Sequence, residues 1–206
     1  MGCNLDSGAM TKEEEDFTTK EEACFLHAMK VDELDSIVCR YTTSADISSS
    51  QLSALVQALT EQQPNQKQVL YTLFSDVERP LLLVFVILMG KGTGRKKAEL
   101  LFEVGTDSLA TDMMSQSQAE TLAGRILSAA IEVAPRLSSQ VGPTEYLRTL
   151  NRHKDTATAQ LTRKILGDQR QVTESQFLHN YGENSRLSSL AGVRQFVHRC
   201  SEKAIK

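Results

Sequence analysis

Apolar residues recur along this chain at helical spacing between short polar breaks, and three of the predicted helices open in the same way. In Val172-Thr173-Glu174-Ser175-Gln176-Phe177 an apolar residue is followed by a hydroxyl residue and, three positions later, by glutamine. The hydroxyl and the glutamine form a capping box, which satisfies the free amides of a helix start, and Val172 and Phe177 stand where a hydrophobic staple closes over the turn. Ile47-Ser48-Ser49-Ser50-Gln51-Leu52 repeats the pattern, and Met114-Ser115-Gln116-Ser117-Gln118-Ala119 repeats it with a smaller last residue. Three helix starts written alike predict an internal repeat.

The stretches before these starts are helical too. Phe25, Met29, Leu34, Val38 and Tyr41 form a rough stripe over residues 19–41, and Leu161, Ile165 and Leu166 precede Val172, so each unit reads as helix, short loop, apolar residue, capped helix. Between the first two starts, Gln62-Gln63-Pro64-Asn65 breaks the chain. Val69, Leu70, Leu73 and Phe74 then lead into the apolar run Leu81 to Met89, with Pro80 at a position where a helix loses no hydrogen bond. At nine residues the run is less than half of the ~20 needed to span a bilayer, so it reads as a buried core helix or as the lining of a partner groove. Gly90-Lys91-Gly92-Thr93-Gly94-Arg95-Lys96-Lys97 lacks the order of a phosphate loop and reads as a helix end followed by a basic linker. Beyond it, Ala98 to Val104, Leu122 to Val133 and Leu187 to Val197 continue the helical pattern. Residues 135–155 form an insertion with a Gly142-Pro143 turn and a short helix carrying Tyr146, Leu147 and Leu150.

The repeating unit resembles the EF-hand superfamily, with a layout similar to that of calcineurin B and the neuronal calcium sensors, over residues 31–193. Ile47 and Val172 match the eighth loop position of such a hand, Ser48 and Thr173 the ninth, and Gln51 and Gln176 the twelfth. The chain also resembles the helical amino-terminal part of myristoylated TLDc proteins. The resemblance implies an all-α fold of four degenerate helix-loop-helix units in two lobes, joined through small two-stranded pairings between loops. It also implies grooves that accept a partner's amphipathic helix, with Leu82, Phe85, Val86, Met89, Phe177 and Leu190 as groove or core residues. Lobes at 19–90 and 98–200, a linker at 91–97 and a tail at 1–18 complete the expected organisation.

The calcium chemistry of such hands is missing. A calcium loop needs about 12 residues, oxygen ligands at alternate early positions, a glycine at the sixth and a bidentate glutamate at the twelfth. Thr42 to Gln51 is ten residues with Asp46 as its only acid, and Gly167 to Gln176 is ten with Asp168 followed by Arg170. Gln51, Gln118 and Gln176 each offer one neutral oxygen where a carboxylate offers two and a charge. In the third loop Asp107 is a weak candidate first ligand, but Leu109 takes the third position. No cofactor is expected, and a calcium sensor with unconventional loops is the alternative reading.

Composition narrows the classes further. A net charge of −3 carries no basic stripe, which argues against nucleic acid as a partner. Cys3, Cys24, Cys39 and Cys200 have no CxxC spacing, which points to a reduced, cytoplasmic setting. Gly2 matches the acceptor of N-myristoylation and Cys3 beside it suits palmitoylation, although Asp6 stands where that motif prefers Ser or Thr. Glu13 to Asp16 would be repelled by anionic lipid, so a stable anchor at the cytoplasmic face of a membrane would require Cys3 as well. His27, His153, His179 and His198 are scattered, and no nucleophile and base stand at catalytic spacing. The expectation is a non-catalytic adaptor.

Overall fold

The structure is a computed structural model that describes residues 11–106, 112–137 and 144–204. It is mostly helical. Helix α1 (Lys12–Ala23) starts at Thr11, whose hydroxyl accepts from the Glu14 amide at 3.2 Å, and its first turn carries Glu13, Glu14 and Glu15, where acids suit the helix dipole. After a 3-10 turn at Phe25–Ala28 come α2 (Val31–Tyr41), α3 (Ser49–Leu59), α4 (Lys67–Phe74) and α5 (Arg79–Met89). The following part has α6 (Gly94–Gly105), β1 (Met113–Ser115), α7 (Gln116–Ser128), α8 (Glu145–Arg152), α9 (Lys154–Leu166), β2 (Gln171–Thr173), α10 (Glu174–Phe177) and α11 (Leu190–Ala204).

Three helices begin on complete capping boxes. Ser48 caps α3, Ser115 caps α7 and Thr173 caps α10, and in each the glutamine side chain accepts from the cap residue's own amide. Those return bonds are 3.0, 2.9 and 2.9 Å long. Both capped helices of the carboxy-terminal part pass into a π turn, α7 at Ala129–Val133 and α10 at Leu178–Gly182.

The two parts join their units differently. Strands β1 and β2 pair antiparallel in the register Met113 with Thr173, Met114 with Val172 and Ser115 with Gln171. Met114 and Val172 are fully buried at its centre. Between α2–α3 and α4–α5 the loops share one backbone bond, from the Arg79 amide to the Ala45 carbonyl at 2.8 Å. The far end of that pair is closed by a parallel bridge between Lys30 and Lys91, with the Lys91 amide donating to Met29 and the Val31 amide to Lys91.

Helix α5 is the centre of the molecule. Every residue from Leu82 to Met89 is buried, and α5 packs against α2 on one side and against α6, α7 and the π turn after α7 on the other. The buried apolar side chains form one continuous cluster from Phe17 to Cys200. Gly192 sets the approach of α11 to the preceding 3-10 turn, because a Cβ there would lie 1.6 Å from the Arg186 carbonyl oxygen.

Several expectations change. Residues 11–18 do not belong to a tail: Glu14 and Phe17 are buried, because α1 presents them on one stripe with Glu21. Residues 91–97 are not a free linker, since Lys91 sits in the bridge, Thr93 caps α6 and Lys97 is buried. Leu82, Phe85, Val86, Met89, Phe177 and Leu190, expected as groove or core residues, are core, at most 2% exposed. The apolar run is therefore enclosed on all faces. The insertion contributes α8, with Tyr146, Leu147 and Leu150 buried, and gives way to α9 at Lys154. Gly2, Cys3 and Asp107 lie outside the described residues.

Candidate functional site

The first candidate is a groove between α2 and α3. Val31, Leu34 and Val38 turn one face of α2 into the core, while Leu55, Val56 and Leu59 do the same for α3. The neighbouring face of α2 leaves Ile37 and Tyr41 half-buried. On α3 the facing positions are Ala54, Gln57 and Ala58, so small side chains floor the space that larger ones would fill. Two adjoining depressions result, of about 630 and 500 Å³, which share Ala58 and Glu61. Phe25 and Met29, on and just after the turn that follows α1, wall the second one. Lys30, Glu33, Glu61 and Lys67 give the rim both signs of charge. The few apolar side chains stand among polar ones, Gln57, Thr60, Gln62 and Gln63 included, and such a mixed surface can take the border of an amphipathic helix's apolar face.

The loops before the capped helices are tied by side-chain amides. In the α2–α3 loop the Gln51 side chain accepts from the Ser48 amide at 3.0 Å and donates through Nε2 to Thr43 Oγ1 at 3.0 Å. The amide thereby spans the loop and ties its start to its end, and Ser44 Oγ donates to the Asp46 carbonyl at 2.7 Å. In the α9–α10 loop Gln176 accepts from the Thr173 amide and hydroxyl, and Asn180 reaches across to the Ile165 carbonyl at 2.9 Å. Gly167 ends α9 with φ +60° and ψ −130°, a conformation that side chains oppose. Among the described residues no three His, Cys, Asp or Glu side chains are grouped to hold a metal ion.

The second candidate is ionic and buried. Arg194 of α11 is fully buried, and its guanidinium donates from Nε and Nη2 to Glu14 at 2.9 to 3.1 Å and from Nη1 to Glu21 at 2.5 Å. Nη1 also reaches the Ala130 carbonyl at 3.3 Å, and the Phe17 ring lies 5.5 Å from the guanidinium carbon. The Tyr146 hydroxyl of α8 donates to Glu14 Oε2 at 2.5 Å. Burial works against the arginine's charge, but the two carboxylates prevail and hold its pKa above the ordinary value. With two acids for one cation, the second acid carries the cost: burial pushes the Glu21 carboxyl up against the pull of Arg194. Burial, followed by the Glu14 charge, likewise raises the Tyr146 phenol. A buried pair of this kind specifies geometry more than it stabilises, whereas removing one partner is severe.

A third buried polar group sits at the junction of the two parts. Lys97 Nζ donates to the Leu88 carbonyl at the end of α5 and to the Ser188 carbonyl, both at 2.9 Å. Burial alone pushes its pKa down to about 8.

Sequence reasoning missed the Arg194 cluster altogether. Its signal is present in two places. Arg194 interrupts the core stripe Leu190, Val193, Val197, and Glu14-Phe17-Glu21 has the three- and four-residue spacing of a helix face. What hid it is that each half is meaningful only beside the other, 180 residues away along the chain. Compared with protein-family models, with curated proteins and with solved structures, the chain matches none. No helix of the described residues is long and apolar enough to cross a membrane.

Proposed function

We propose that this chain is a non-catalytic, calcium-insensitive adaptor built from paired EF-hand-like units, which receives an amphipathic helix of a partner protein in the groove between α2 and α3. The observation that carries the reading is the register of β1 on β2: the residues directly before two capped helices pair, and their apolar members Met114 and Val172 meet at the centre. Two units related in that way form a frame that metal ligands would otherwise set, here tied by glutamine side chains. The half-buried Ile37 and Tyr41 over an alanine floor supply the apolar contact for the partner. Gly2 and Cys3 carry myristoyl and palmitoyl chains in this reading, since one myristoyl group gives only about 10⁴ M⁻¹ of membrane affinity, and Gly2→Ala then moves the protein from the membrane to the soluble fraction.

A photo-crosslinking amino acid at Gln57, with the same group at exposed Thr121 of α7 as control, tests the groove. Capture of one helical segment at position 57, absent at position 121 and abolished by Tyr41→Glu, is the expected result. Equal capture at both positions, or capture indifferent to Tyr41→Glu, contradicts it.

A further inference from the structure

Helix α1 is held in an unusual way. Of its twelve residues, Glu14, Phe17 and Glu21 are the buried ones, so a single apolar ring accompanies two carboxylates. Six of the twelve are acidic, and a helix of that length is marginal by itself in water. Its attachment includes the Phe17 ring, stacked 6.4 Å from that of Tyr146, the Tyr146 bond to Glu14, charge-assisted bonds to Arg194 and packing against the 3-10 turn at Ala134–Leu137. Buried ion pairs of this sort fix register and orientation while contributing little net attachment. The receiving surface is the opposite case. Arg194, Tyr146 and the Ala130 carbonyl come from α11, α8 and the π turn after α7, three parts of the main core that also pack directly on one another.

We propose that this seat is a receptor for acidic helices, and that α1 is its internal occupant, exchanged for a partner's helix that presents carboxylate, aromatic and carboxylate at positions i, i+3 and i+7. The chemistry of that partner is read from what the seat holds now. A fully buried guanidinium requires carboxylates, the phenol of Tyr146 requires an acceptor, and the slot beside both fits one aromatic ring. An incoming helix must supply all three, because leaving Arg194 unpaired is costly. Competition is set by tethering: α1 is joined to α2 by a seven-residue connection that includes the Phe25–Ala28 turn, residues 24–30, so it meets the seat at an effective concentration in the millimolar range, and only a ligand that binds tightly, or a chain with a weakened α1, shows exchange. The inference rests on the adaptor reading only in expecting a helical partner, and it concerns a different surface from the α2–α3 groove.

The test uses the full chain and a fluorescent peptide of residues 11–23, followed by anisotropy. Phe17→Ala in the chain removes the one apolar anchor of the internal helix, and the peptide is expected to bind that chain roughly 10 to 100 times more tightly than the unaltered one, the range that burial of one phenylalanine ring supplies. The same peptide with Glu14→Gln and Glu21→Gln is expected to lose that binding. Tyr146→Phe, which removes one hydroxyl and no core volume, serves if Phe17→Ala does not fold; because it removes that hydrogen bond from internal and added helix alike, hydrogen exchange is the readout there, with α1 amides exchanging faster and those of α7 unchanged. Three results overturn the proposal: a peptide that binds Phe17→Ala no better than the unaltered chain, binding indifferent to the two carboxylates, and α1 amides as protected as those of α7 in the variants. Tyr41→Glu, which spoils the α2–α3 groove, leaves peptide binding unchanged, so failure here and failure of the groove are told apart.

Discussion

The α2–α5 part and the α6–α10 part are written with similar helices, yet they are closed by different devices. In the second, the loops carry three-residue strands whose register sets Met114 against Val172. In the first, the loop between α4 and α5 runs only from Ser75 to Glu78, with Asp76 at φ +58° and Pro80 already in the first turn of α5. So short a loop leaves no residue to pair, and proline would withhold a ladder donor in any case. One backbone bond from Arg79 to Ala45 remains, and the pair is fastened at its other end through Lys30 and Lys91. The apolar helix α5 compensates by burying every residue from Leu82 to Met89 among both parts. A loop that keeps its strand can rely on local caps, while a loop that loses it must rely on tertiary burial.

The largest effects should test whether the two parts share one core. Phe85→Ala in α5 and Phe177→Ala in α10 each remove a fully buried ring, a change that costs about 3 to 5 kcal/mol. Both should lower one cooperative urea transition seen equally by far-ultraviolet dichroism and tyrosine fluorescence. Two separated transitions would restore the picture of independent lobes. Next in size, Val172→Ala strips two buried methyl groups from the paired loop and should cost about 2 kcal/mol. Ile47→Ala, at the corresponding place in the unpaired part, is half-buried and should cost less by about a factor of two. Equal costs would erase the contrast between the loops.

Smaller effects should sharpen the same comparison. Ser48→Ala, Ser115→Ala and Thr173→Ala each remove a capping oxygen, worth about 1 kcal/mol. Gln51→Ala should go further and speed amide exchange across its own loop, because that side chain bonds the Ser48 amide at one end and Thr43 Oγ1 at the other. At the junction, Lys97 has a folded pKa of about 8, below the ~10.4 of an unfolded lysine. The unfolded chain therefore holds more protons between those values, and stability contributed by this group rises with pH from about 8 up to ~10.4. The buried Cys24 thiol, raised chiefly by burial, acts in the opposite direction over part of that range. The readout is thus the difference between the unaltered chain and Lys97→Met, which should lose the rising component; parallel curves would contradict it.

Much of this architecture was legible because it is local. Ser48, Ser115 and Thr173 start helices since a hydroxyl and a glutamine three residues apart solve a local hydrogen-bond problem. Tyr146, Leu147 and Leu150 announce α8 by spacing alone. Of the two readings of the apolar run, core or partner groove, the structure bears out core. Hydrophobicity marks Leu82 to Met89 as the richest apolar stretch, and richness predicts burial, whereas the depressions on the surface lie where Ala54 and Ala58 leave room beside Ile37 and Tyr41. The seat of α1 was illegible for another reason: Glu14, Tyr146 and Arg194 are distant in sequence, and an acidic helix start looks like a solvated face until a buried cation meets it.

Under the proposed function, side-chain amides hold these loops in shape where calcium does so in a metal-binding hand. This is tested most directly by the thermal midpoint of the full chain in millimolar calcium against the same chain in chelator. The proposal predicts coincident midpoints, since the Gln51 and Gln176 amides are already engaged in hydrogen bonds and bring no charge to a metal. A native-state ligand at 100 times its dissociation constant adds about 2.7 kcal/mol, roughly 5 to 10 °C for a chain of this size; a rise of that order in calcium would contradict the account.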